Sequence, residues 1–328
     1  MTAWRRTAAL ALLTAVAVAP AGDASAVERA PGHVLFEFTD DEVFESSGLV
    51  DEGRTVYTIN DSGDDAVVYA IDAASGDTTS RITYADSVDD VEALAPGPGR
   101  TLWAGDIGDN RQRRDDIAVY RVGPEHAKAT RYTLRYPDGS HDAETLLVHP
   151  ASGRVLVVTK SPFGGTVYAA PTPLDERADN RLRVFGHVAG LVTDGAFYAD
   201  GRHVVLRTYD TASVYTFPGF ELRGTVRLPR QPQGEGISVS PTGRVLVSSE
   251  GVHAKVLQVT LPRSLLAPAP APAPSVVAPS TTAPARRPVR PQPDPRGPGA
   301  YAVIAIVGAA LAYGGWLTVR NSRVQSRR

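Results

Sequence analysis

Thr55-Val56-Tyr57-Thr58-Ile59 and Ala66-Val67-Val68-Tyr69-Ala70-Ile71 are two short β-branched and aromatic runs, separated by the turn residues Asp61-Ser62-Gly63-Asp64. A second turn, Ala74-Ser75-Gly76-Asp77, leads into a third run, Thr79–Tyr84. Runs of this kind, punctuated by Gly, Asp and Asn, predict antiparallel strands joined by tight turns. The same order returns in Thr101–Ala104 with Ile117–Val122, Val155–Thr159 with Thr166–Ala169, Val204–Thr208 with Ser213–Phe217, and Val245–Ser248 with Val256–Thr260. Each recurrence follows an acidic residue, at Glu45, Glu92, Glu144, Asp194 and Glu235. A period of about 40–50 residues built from short strands predicts a β-propeller.

Five units begin near Glu45, Asp90, Asp142, Thr193 and Gly234, which predicts an all-β propeller of five four-stranded blades. Six is the alternative if a long unit, 92–141 or 144–190, hides another blade. The fifth unit ends after three strands, and His33–Phe38 precedes the first. Closing the ring with that N-terminal strand would remove an exposed sheet edge.

The flanks read differently. Residues 1–26 have the form of an export signal, with Arg5-Arg6, an apolar run over Ala8–Ala19 and Ala24-Ser25-Ala26 as the cleavage site. The propeller is expected over 27–262, followed by a stalk over 263–299 that includes eleven prolines between Ala267 and Pro298. Such composition favours polyproline II, with a reach of roughly 100 Å at that rise. Residues 300–319 are apolar enough for a single transmembrane helix. The tail 320–328 carries Arg320, Arg323, Arg327 and Arg328, which the positive-inside bias places in the cytoplasm. The sequence thus predicts a membrane-anchored ectodomain.

The whole chain sums to −2, but residues 27–262 hold 34 Asp plus Glu against 23 Lys plus Arg, a net of −11. That charge argues against nucleic acid, whose binding depends on neutralised phosphates. With no cysteine in the chain, disulfide and thiolate chemistry are excluded.

In a blade, the start of the first strand lies beside the end of the second, so Glu92 should neighbour Asp106, Glu144 Lys160, Asp194 Arg207 or Asp210, and Glu235 Glu250. Five such pairs would ring one funnel. Carboxylates with Asn and carbonyl oxygens nearby suit Ca²⁺, and Glu92, Asp106, Asp109 and Glu144 are the candidate ligands. The same Asp and Asn residues could instead stabilise turns. Lys160, Arg207, Asp210, Glu235 and Glu250 are the candidate contacts for a small anionic ligand, with Lys160 and Arg207 as its cationic side. The chain has no Gly-x-Ser-x-Gly elbow, His-Glu-x-x-His motif or phosphate-cradling glycine loop.

Glu45-Ser-Ser-Gly-Leu with Asn60-Asp-Ser-Gly-Asp, Asp90-Val-Glu-Ala-Leu with Gly105-Asp-Ile-Gly-Asp-Asn, and Asp142-Ala-Glu-Thr-Leu-Leu with Val157-Val-Thr-Lys resemble bacterial secreted propellers of the WD40-like or phytase/esterase-like kind. The resemblance covers 45–160 best. It implies a propeller, an extracellular address and Ca²⁺ at the carboxylate face. The expected role is a binding or scaffolding module for a small anionic ligand or a cell-surface protein. The alternative is a Ca²⁺-dependent phosphate-ester or carboxylic-ester hydrolase.

Overall fold

The computed structural model describes residues 27–61, 65–123 and 129–267. The predicted export signal, most of the stalk, the apolar span and the basic tail lie outside them. An N-terminal strand β1 (Gly32–Glu37) precedes five antiparallel sheets. Blade 1 is β2 (Ser46–Asp51), β3 (Thr55–Asn60), β4 (Val67–Asp72) and β5 (Thr78–Thr83). Blade 2 is β6 (Val91–Gly97), β7 (Thr101–Asp106), β8 (Ile117–Val122) and β9 (Thr130–Arg135). Blade 3 is β10 (Ala143–Val148), β11 (Val155–Thr159), β12 (Gly165–Ala169) and, after the two-residue β13 (Asn180–Arg181), β14 (Arg183–Val188). Blade 4 is β15 (Asp194–Phe197), β16 (His203–Arg207), β17 (Thr211–Thr216) and β18 (Leu222–Arg227). Blade 5 is β19 (Gly234–Val239), β20 (Val245–Ser249), β21 (Lys255–Val259) and, as its outer strand, β1.

The chain is therefore a five-bladed propeller of four-stranded sheets. The two long units hide no sixth blade. Their extra length forms the loop after β7 and an excursion after β12, where β13 lies parallel to β9 on the edge of blade 2. β1 runs antiparallel to β21 from Gly32↔Val259 to Glu37↔Lys255 and closes the ring with the N-terminal strand.

Strand alternation explains why inner strands read as unbroken apolar runs. Successive side chains point to opposite faces of a sheet, and each face of a blade packs against a different neighbour. Val155 and Val157 enter the cluster shared with blade 2, around Trp103, Tyr132 and Leu146. Leu156 and Val158, between them, enter the cluster shared with blade 4, around Phe197, Leu206 and Tyr215. Equivalent clusters fill the gaps between blades 1 and 2, 4 and 5, and 5 and 1. The last gap is also bridged by Arg244, whose guanidinium holds the buried Asp51 carboxylate at 2.5 and 2.7 Å.

The first strands β2, β6, β10, β15 and β19 touch one another in sequence and line the central channel. Because every first strand runs the same way, its starting residues collect on one face.

Candidate functional site

Four of the five inner strands carry one residue more than the strand they pair with. The extra residue is Ser47 in β2, Glu92 in β6 and Glu144 in β10, and it falls at Glu235-Gly236 in β19. A bulge leaves one residue out of the ladder and re-aims its side chain. Three glutamates are thereby held in the channel wall, only 2, 5 and 4 % exposed for Glu92, Glu144 and Glu235. In blade 4, β15 and β16 pair without such a shift, from Asp194↔Arg207 to Phe197↔Val204.

The bulges also explain why Glu45 stands four residues before Leu49, whereas Glu92 stands two before Leu94. Ser47, not Glu45, stands where Glu92 stands. Glu45 belongs to a second, outer row with Asp90, Asp142 and Gln233. The carbonyls of these four accept the N–H groups of Asp61, Gly108, Lys160 and Glu250, in that order.

Carboxylate oxygens of Asp61, Asp90 and Glu92 lie within 4.8 Å of one another. Gly108 makes this approach feasible, because a Cβ there would sit 2.5 Å from Asp90 Oδ2 and 2.6 Å from Glu92 Oε1. Burial, reinforced by the charges of Asp61, Glu144, Asp90 and Asp142, pushes the Glu92 carboxyl up to about 11. At neutral pH this group holds a proton unless a cation takes the proton's place.

The wall continues through Glu144, whose Oε1 accepts a hydrogen bond from Lys160 Nζ. Its Oε2 is buried with no hydrogen-bond partner among the described residues. Burial raises the Glu144 carboxyl, and Lys160 pulls it partway back. Burial works against the Lys160 ammonium, but Glu144, Tyr209 and Glu235 more than offset it, so its pKa stands above the ordinary value. Glu235 is pushed up to about 7 by burial, with Lys160 opposing and Glu250 adding to the rise. Burial, then Asp61 and Glu45, raises Glu250 and closes the circle of mutually acting charges.

Several candidate residues are used otherwise. Asp106 Oδ1 pairs with Arg114 Nη1 at 2.8 Å and accepts the Asp90 N–H at 3.0 Å. Asp109 Oδ2 accepts the N–H groups of Arg113 and Arg114 at 2.7 and 2.8 Å. Both carboxylates shape the 106–114 loop that delivers Gly108, and neither belongs to the Asp61, Asp90 and Glu92 cluster. Arg207 is wholly buried, with its donors directed to the carbonyls of Gly236 and Ser248 at 2.7 and 2.8 Å and to Gln231 Oε1 at 2.9 Å. Burial lowers its pKa to about 10. It is an internal strut between blades 4 and 5, not a grip on a ligand. Asp210 is exposed and accepts a 3.4 Å hydrogen bond from Thr208.

Asp61, Asp90 and Asp142 were not among the candidate ligands. Their signal was the acid two residues before each bulge, in Asp90-Val-Glu92 and Asp142-Ala-Glu144, and the first position after the second strand, at Asp61.

The donor set fits Ca²⁺. Oxygens bound to that ion at 2.3–2.6 Å lie at most about 5 Å apart, and the Asp61, Asp90 and Glu92 oxygens meet that limit. All three are hard carboxylate ligands, with no sulfur or imidazole to favour a softer metal.

No family model and no curated protein matches the chain. Among solved structures it is similar to XC5397 from Xanthomonas campestris, described as a gluconolactonase important in glucose secondary metabolic pathways. The TM-score is 0.43 at 14 % identity, covering 65 % of this chain and 70 % of that one. At that distance the likeness carries no argument about activity.

Proposed function

We propose that the chain is a divalent-cation-binding module in which Asp61, Asp90 and Glu92 hold Ca²⁺ and Glu144 adds charge beside them. The single observation that carries this reading is the convergence of Asp61 and Asp90 on the buried Glu92, which forms no ion pair among the described residues and whose charged form the surrounding acids oppose. Lys160, Tyr209, Glu235 and Glu250 line the rest of the funnel, where a small anionic ligand or a surface protein docks over the cation. The stalk and apolar span read from the sequence would display this face outside the cell.

A melt of the purified full-length chain in EDTA and in millimolar Ca²⁺ tests it. Binding at 100 times Kd stabilises by about 2.7 kcal/mol, which for a domain of this size is roughly 5–10 °C. Coincident melts at millimolar Ca²⁺ would overturn the cation centre.

A hydrolytic reading has one observation in its favour. Glu235, near neutrality at about 7 and beside Lys160, has the poise of a general base. Turnover of phosphate or carboxylic esters that requires Ca²⁺ and is lost in Glu235→Gln would support it. An inactive ester panel leaves the binding module as the function.

A further inference from the structure

The chain's acidity conceals a local reversal. On the same face as the funnel, Arg29, Arg227 and Arg230 line a cavity of about 170 Å³ together with Tyr209, Asp210 and Gln231. That is room for several waters at about 30 Å³ each. The backbone builds this convergence. Residues 28–30 run parallel to the end of β18, with Ala30 N–H donating to Arg227 O and Arg227 N–H to Glu28 O, both at 2.7 Å. This sets Arg29 beside Arg227, and Arg29 Nη1 donates to Leu228 O at 3.1 Å. Leu228 N–H in turn donates to Asp210 O at 2.8 Å and ties the wall to the β16–β17 turn.

Some arginines of this domain are matched to acids, as in Arg81–Asp40, Arg114–Asp106, Arg135–Asp179 and Arg244–Asp51. Among the described residues none of the three cavity arginines forms an ion pair, although the domain has carboxylates in excess. Three guanidinium groups against one carboxylate leave the cavity with a surplus of two positive charges. Guanidinium forks match tetrahedral oxyanions through paired, charge-assisted hydrogen bonds. The wall is shared with the funnel: Tyr209 has Lys160 Nζ 5.7 Å from its ring, and Gln231 holds Arg207.

We propose that this cavity is an oxyanion site that takes a phosphate or sulfate group, either as the free ion or as the terminal group of a small ligand. It stands independently of the cation reading, because none of its residues belongs to the carboxylate cluster.

Calorimetric titration of the full-length chain with inorganic phosphate in EDTA and low salt tests it. The expected result is one saturable site that weakens with added salt. Arg227→Gln combined with Arg230→Gln, both exposed and outside the core, should weaken binding at least tenfold with an unchanged melting temperature. Asp210→Asn should tighten it several-fold by removing the opposing charge. Unchanged affinity in the double variant would place phosphate on other basic residues and overturn the site. A second arm uses phosphatidylcholine vesicles containing phosphatidic acid. Vesicle binding that needs Arg227 and Arg230, without any binding of inorganic phosphate, would assign the arginines to a lipid surface and likewise overturn the small-ion site.

Discussion

Blades 2 and 4 begin with similar sequence, an acid followed by a small residue and an apolar one, yet they treat the acid in opposite ways. In blade 2 the bulge at Glu92 gives the carboxylate to the channel, against Asp61 and Asp90. In blade 4 the ladder is continuous, and Asp194 Oδ2 instead accepts the Ile237 N–H of blade 5 at 2.7 Å. Arg207 lies near it and uses its donors on backbone carbonyls. One inserted residue thus separates an acid facing the channel from an acid that joins two blades.

The largest effect is expected where blade 4 is broken. Arg207→Met leaves the carbonyls of Gly236 and Ser248 without a donor and Asp194 without its neighbouring charge. The loss should be about 3–5 kcal/mol, read as a fall in melting temperature of roughly 10 °C. A variant that melts with the wild type would show that the strut is dispensable.

Blade 2 should respond in the opposite sense. Glu92→Gln keeps the shape of the protonated carboxyl and removes the group that is hardest to ionise there. It should melt no lower than wild type in EDTA, while the Ca²⁺-induced rise of roughly 5–10 °C disappears. A retained rise would move the cation elsewhere.

Blade 5 sharpens the comparison through pH. Glu235 carries a folded pKa of about 7 against an ordinary 4.5. Between those values the folded state binds more protons than the unfolded one, so stability contributed by Glu235 is present below 4.5 and falls as pH rises to 7. The slope for one such group is at most about 1.4 kcal/mol per pH unit. Melts in EDTA should therefore fall from pH 5 to pH 7, and Glu235→Gln should flatten that fall.

The smallest change tests the approach of the loop to the cluster. Gly108→Ala places a methyl against the Asp90 and Glu92 carboxylates, which are side-chain ends able to swing aside. Its melting point in EDTA should shift by less than about 1 kcal/mol equivalent, while Ca²⁺ affinity, followed by titration, drops about tenfold.

The sequence displayed the blades because each strand is a local object. Val155–Thr159 has the composition and bounds of β11 as the structure draws them, and the His33–Phe38 run overlaps β1. Three inner acids, Glu92, Glu144 and Glu235, recur at the same place in their units, and that recurrence is visible in the sequence. What stayed hidden depends on register. A bulge adds a residue that the ladder does not count, so Ser47 takes the place that Glu92 takes in blade 2, and Glu45 falls in the outer row with Asp90. The fate of Asp106 was hidden for another reason. Arg114, whose ion pair captures it, is eight residues further along a loop without periodicity. Arg207 sinks into the interior because Gly234, in another blade, has no Cβ to block it; a methyl there would lie 1.8 Å from Nη2. No local pattern carries that information.

The seam between β1 and β21 joins the earliest strand of the domain to the latest. During synthesis, Gly32 must wait for Val259 before either can form its ladder, so the toroid cannot be sealed until nearly the whole domain has emerged. A polypeptide cut short before Lys255 would keep two unsatisfied sheet borders, one at each end of an open crescent, and open borders invite pairing with other molecules. Completion of the final strand is therefore a checkpoint written into the connectivity itself.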